Sequence, residues 1–227
     1  MRSFSILMAL LLIAPQPAAA QGGDSEEREA NVVFWTFATC IVERNPDAVR
    51  KLLVKPIWQA EEQKLAQSLA QRSVDEYPLR EEPCGLFEGL RFDTNLFRGT
   101  LAGAMFVRDT KAKGLPDYGS VQAPVTTADL ASANDTATQM QLGLHAFSFC
   151  VFLNRPDEVR ALLVTRPFSQ AEHTVFGSLA TTFGGCLPAK EGTQISFTRV
   201  RLRALLGEAA YYANSNLQSR TSTGTSL

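Results

Sequence analysis

One stretch of this chain occurs twice. Cys40-Ile-Val-Glu-Arg-Asn-Pro-Asp-Ala-Val-Arg-Lys-Leu-Leu-Val54 returns 110 residues later as Cys150-Val-Phe-Leu-Asn-Arg-Pro-Asp-Glu-Val-Arg-Ala-Leu-Leu-Val164, and eight of the 15 positions are identical. A match of that length at a fixed offset marks an internal duplication. Whatever fold the chain adopts must be one that can be built twice and packed against itself.

The duplication also organises the cysteines. There are four: Cys40 and Cys84 in the first copy, Cys150 and Cys186 in the second. In an exported chain four cysteines read as two disulfides, with three pairings open. If each copy folds as a unit, the bridges are Cys40–Cys84 and Cys150–Cys186. Each closes a loop of about 40 residues, worth roughly 4 kcal/mol in the chain-entropy model. Cross-copy pairing is the alternative if the first helices lie side by side. On local pairing, reduction loosens each copy separately.

Residues 1–20 carry the pattern of a secretory signal peptide: Arg2, the apolar run Ile6 to Ala14, then Ala18-Ala19-Ala20 before Gln21. That run is too short to span a bilayer, which takes roughly 20 residues. Cleavage after Ala20 removes Arg2 and no acid, so the formal net charge moves from −1 to −2. A near-neutral chain points away from nucleic acid and from an anionic membrane as partner. No second long apolar run follows, so no integral membrane segment is expected after cleavage. The expected location is the periplasm or the secreted fraction.

Within each copy the pattern is helical. Asp24-Ser-Glu-Glu27 reads as a capping box opening a helix that is apolar nearly all round and carries Cys40. Asn45-Pro46 breaks the chain and starts a short helix, with Val49, Leu52 and Leu53 on one face. The second copy repeats this with Pro156, Val159, Leu162 and Leu163. Arg155 replaces the Asn45 cap, which moves the expected start towards Asn154. A third helix begins at Gln59 and at Gln170. After the second cysteine, Leu90-Arg-Phe92 and Ile195-Ser-Phe197 alternate as short extended arms. A fourth helix then follows, with Arg98-Gly-Thr-Leu-Ala-Gly-Ala matched by Arg203-Ala-Leu-Leu-Gly-Glu-Ala at an offset of 105. The expected fold class is all-α: two duplicated four-helix units packed together, each with one internal disulfide. The expected boundaries are repeat 1 at 21–108, a linker at 109–139, repeat 2 at 140–214 and a disordered tail at 215–227.

The pattern Cys…Pro-Asp-x-Val-Arg-x-Leu-Leu, Pro-x-x-Gln-Ala-Glu, Cys, Arg-x-x-Leu-x-x-Ala resembles that of exported bacterial proteins built from cysteine-containing helical units. The resemblance spans both copies. It implies an exported bacterial setting and supplies no activity, cofactor or site residue.

Candidate chemistry is sparse. The duplicated polar residues Asp47/Asp157, Arg50/Arg160, Glu61/Glu172, Ser68/Ser178 and Arg98/Arg203 read first as caps and salt bridges. Arg98 and Arg203, on equivalent helices, also suit a symmetric anion-holding pair. Arg199, Arg201 and Arg203 form a local basic cluster suited to an acidic partner protein or a cell-wall polymer. There is no G-x-S-x-G and no glycine-rich phosphate loop. His145 and His173 have no counterparts in the first copy, so neither a metal site nor a cofactor is expected. Asn134-Asp-Thr136 forms a glycosylation sequon. The expected role is a non-enzymatic, exported protein that binds another protein or an envelope component, with no oligomeric state implied. The alternative is an envelope hydrolase with a cleft between the copies. That reading requires unduplicated polar residues converging on a pocket, and His145, His173 and Glu208 are the candidates.

Overall fold

The computed structural model describes residues 22–54, 84, 93–125, 127–133, 135–187 and 197–223, with side chains left aside at 22–27, 127–128, 131, 137 and 218–223. It contains eight helices among the described residues: α1 Gly22–Arg44, α2 Pro46–Val54, α3 Thr94–Thr110, α4 Thr127–Ser132, α5 Thr136–Asn154, α6 Pro156–Val164, α7 Gln170–Cys186 and α8 Arg199–Thr223. The chain is all-α, with one disulfide in each copy. Several expectations lie outside the described residues: the leader at 1–20, the helix from Gln59 with Glu61 and Ser68, the sequon residue Asn134, and the arms except for Phe197.

The disulfides are Cys40–Cys84 and Cys150–Cys186. The local pairing is therefore the one adopted. In the second copy it ties the C-terminal part of α5 to the C-terminal end of α7.

Equivalent positions of the two copies have equivalent environments. Ile41 and Val151, Val49 and Val159, Leu52 and Leu162, and Leu101 and Leu206 are all fully buried. Pro46 and Pro156 open α2 and α6, because a residue without an N–H loses nothing in the first turn. The start of α6 does not move to Asn154. Arg155 stays at the cap without a side-chain cap bond, and its Nε donates instead to Glu158 Oε1 at 2.7 Å. Asn154 donates to the Cys150 carbonyl at 2.9 Å.

The two copies meet where α3 crosses α8, the most extensive contact between helices. Gly99, Gly103 and Gly207 make that approach possible. A Cβ on Gly99 would sit 2.5 Å from the Ala204 carbonyl oxygen, and one on Gly207 would sit 2.6 Å from the Gly99 carbonyl oxygen. Position 99 is the counterpart of position 204. Counterpart positions of the two copies thus meet at the crossing.

One apolar core runs through both copies, from Phe34, Phe37 and Phe97 to Phe152, Leu179 and Ala213. The segment expected as a linker contributes to it. Tyr118 is buried with its ring edge-on to Phe152, and Val121 and Val125 are buried too. The tail also differs from expectation, since α8 continues to Thr223. Leu217 packs against the core, and the Ser215 hydroxyl donates to the Tyr212 carbonyl at 3.1 Å.

Candidate functional site

The site begins with the two duplicated arginines. Arg98 is 2% exposed and reaches the C-terminal end of α2, where its guanidinium donates to the carbonyls of Leu52 at 3.0 Å and Leu53 at 3.2 Å. Arg203 is 7% exposed and does the same for α6, donating to Leu163 at 2.9 Å and to the Thr165 carbonyl. The last carbonyls of a helix have no partner within it. A planar fork of donors satisfies several at once, so the duplicated arginine is the clamp that docks each short helix onto the crossing. Both guanidiniums face carbonyls and carboxylates inside the protein.

Each arginine also takes a carboxylate from the second copy. Arg203 Nη1 pairs with Glu172 Oε1 at 2.9 Å, within its own copy. Glu172 also accepts from the backbone N–H of Phe168 at 2.7 Å, and its own N–H donates to Ser169, the N-cap of α7. Arg98 Nε lies 2.9 Å from Oε1 of Glu208, which comes across the crossing from the second copy. That approach is off-axis for a hydrogen bond, so charge holds the pair. The Tyr212 hydroxyl contacts Arg98 and donates to the Leu53 carbonyl at 2.9 Å.

His145 on α5 stands on the other side of Glu208, with Nδ1 3.6 Å from Oε2. Burial pulls His145 down to about 4, and the positive Arg98 pulls in the same direction. Burial pushes Glu208 up to about 7, against the pull of Arg98. At neutral pH the imidazole is uncharged. Two titrating groups so close, displaced in opposite directions, mark a polar centre built inside a core.

That centre lines a cavity of about 280 Å³. Its walls come from both copies. Asp93, Asn95 and Leu96 stand at the start of α3, Leu144 and His145 on α5, and Val200, Arg201, Leu205 and Glu208 on α8. Asp93 caps α3, with Oδ1 accepting from the N–H groups of Asn95 at 2.8 Å and Leu96 at 3.2 Å. Arg201 is thus the member of the basic cluster that borders the cavity. Arg199 is exposed and faces His173 Nδ1 at 3.1 Å, away from the cavity lining. Of the three unduplicated polar residues, His145 and Glu208 converge and His173 does not.

The duplication supplies an internal control. Beside Leu163, Arg203 and Ala204, a second hollow of about 10 Å³ is lined by Trp35, Gly99, Thr100 and Gly103. Those four occupy the positions that His145, Ala204, Leu205 and Glu208 occupy in the large cavity, at the offsets of 110 and 105. Leu163 closes on Gly103 from the side, with its Cδ2 3.0 Å from where a Cβ would stand. These four pairs of positions thus border an open, polar hollow in the second copy and a nearly closed one in the first.

Among the described residues no group of three or more His, Cys, Asp or Glu is placed to hold a metal ion, and no helix is long and apolar enough to cross a membrane. No protein family model, curated protein or solved structure matches the chain.

Proposed function

We propose that this chain is an exported, non-enzymatic binding protein of the cell envelope, and that it holds a small organic molecule in the cavity between its two copies. The observation that carries this reading is the asymmetry between counterpart positions, with His145 and Glu208 around an open cavity where the first copy has Trp35 and Gly103 around a nearly closed one. A buried carboxylate is costly to keep even when paired, and an open cavity forgoes packing. At the counterpart positions the first copy has neither. A concave, largely apolar hollow with a few convergent polar groups is the usual form of a ligand site. The export pattern of residues 1–20 and the two disulfides favour an oxidising compartment, the periplasm or beyond.

The test is to purify the protein from exported material, unfold it, and identify released small molecules by mass spectrometry. A His145→Trp variant imports the counterpart residue of the first copy. A compound recovered from the native protein and missing from the variant supports the reading. Identical, empty extracts from both, with no small molecule raising Tm, would sink it. The same material reports Met1, and its retention would remove the export claim.

A second reading is favoured by the imidazole beside the carboxylate. His145 beside Glu208 has two of the parts of a general-base hydrolase. Among the described residues no serine or cysteine lines the cavity, and the one lining hydroxyl, of Thr198, accepts from the Arg201 N–H at 3.3 Å, so water is the nucleophile on this reading. Hydrolysis of simple aryl esters that disappears in His145→Asn would favour this reading over simple binding.

A further inference from the structure

The polar and charged groups around the cavity restrict what can enter it, and we infer that the ligand is an uncharged alcohol whose hydroxyl bridges His145 and Glu208 and whose apolar body lies against Leu96, Leu144, Val200 and Leu205. This rests on the binding reading above and names its ligand class.

The first argument is charge balance. The fixed charges at the cavity floor are the Arg98 guanidinium and the Glu208 carboxylate, 2.9 Å apart and both 2% exposed. Above about pH 7, where Glu208 is ionised, they neutralise each other. His145 adds no charge at neutral pH. At the wall stand one acid and one base, Asp93 and Arg201, both exposed, and the Asp93 carboxylate is occupied by the first turn of α3. Among the described residues no further charge of either sign stands at the floor. An ion entering there would shed its hydration without a buried counter-charge, a cost of several kcal/mol in real proteins. A neutral molecule avoids it.

The second argument is hydrogen bonding. Glu208 Oε1 is held by Arg98, which leaves Oε2 turned to His145 Nδ1 at 3.6 Å. That separation is longer than a hydrogen bond. The two groups are near enough to be served by one small group and too far apart to satisfy each other. A hydroxyl donates once and accepts twice. It can donate to Oε2 and accept from the Nδ1–H tautomer of the imidazole. An ammonium can only donate, and a carboxylate can only accept.

The third argument is size. At about 280 Å³ the cavity is roughly twice the ~150 Å³ engineered hollow that admits benzene and close to the ~300 Å³ lower end of small-molecule pockets. A ring with a short arm fits that volume.

The experiment uses the mature protein and three probes that share one apolar body: phenethyl alcohol, phenethylammonium and phenylacetate, titrated at about pH 8, where Glu208 is ionised and both ionic probes keep their charge. Amide chemical shifts are followed at Leu96, Leu144 and Leu205, with Trp35 and Ala104 as reporters of the nearly closed hollow. The alcohol is expected to shift the cavity amides saturably, about tenfold more tightly than either ion, the difference expected from one hydrogen bond to a charged group. His145→Phe keeps the ring and removes the bridge, and it is expected to erase that preference. An ion that saturates the cavity as tightly as the alcohol would overturn the ligand class while leaving cavity binding in place. An alcohol that binds His145→Phe undiminished would overturn the bridge. Failure of all three probes to shift the cavity amides would remove this inference; the extraction and His145→Trp comparison judges the binding reading separately.

Discussion

Glu208 and His145 pull the pH dependence of stability in opposite directions. Glu208 rises from 4.5 to about 7 through burial. Its contribution is therefore full below about pH 4.5 and lost as pH climbs through about 7. His145 falls from 6.5 to about 4 through burial and Arg98. Its contribution is present above about 6.5 and lost as pH falls through about 4. Between those limits the two slopes oppose each other. In urea unfolding, His145→Asn should therefore become more stable from pH 7 to pH 5, by on the order of 1–3 kcal/mol. Glu208→Gln should become less stable over the same range. Parallel pH profiles for both variants and the parent would break the link between these residues. The signal for this site was present in the sequence as two mismatches between copies, Trp35 against His145 and Gly103 against Glu208. What the sequence did not carry was that two residues 63 positions apart face one hollow, because that depends on how α5 and α8 pack.

At the level of the helix, the crossing of α3 and α8 depends on the missing side chains of Gly99 and Gly207. An added methyl would meet backbone at 2.5 and 2.6 Å, which cannot swing aside. Gly99→Ala and Gly207→Ala should each cost about 1–3 kcal/mol or more, read as a fall in urea midpoint. Gly143, with nothing near its absent Cβ, is the control; Gly143→Ala should be neutral or stabilising by up to about 1 kcal/mol through helix propensity. The arginine clamps make a matching claim. Arg203→Lys supplies a point charge where a fork served Glu172 and two carbonyls. Freeing buried acceptors this way should cost roughly 2–4 kcal/mol in the same assay. The sequence showed both arginines as equivalent. Helical periodicity alone could not show that their targets are the ends of α2 and α6, since these contacts join residues about 40 positions apart in the chain.

Across the molecule, the copies are two in sequence and one in core. The duplicated stretch and the order of cysteines were enough to read the all-α class and the local disulfides. They suggested units that loosen separately. The continuous core and the α3–α8 crossing imply a single cooperative transition instead. Cys186→Ser should therefore lower hydrogen-exchange protection in α3 as well as in α7 and α8. Loss confined to residues after 139 would restore the separate-unit view. The buried Tyr118 and Val121 escaped the sequence reading because glycines and prolines dominate their neighbourhood. Only the fold shows that a loop rich in turn residues lies over Phe152.

The contact of Gly99 with Ala204 means that a lone unit of this kind would find a second copy of itself complementary at that point. In a symmetric homodimer of such units, every residue lining the seam would be present twice. In such a dimer a substitution that improves one side changes the other equally. A site built around a single acid and a single histidine could not arise there without burying a second pair. Joining the two units in one chain removes that constraint. One set of counterpart positions is then free to close and stabilise the assembly, while the other is free to become polar and open.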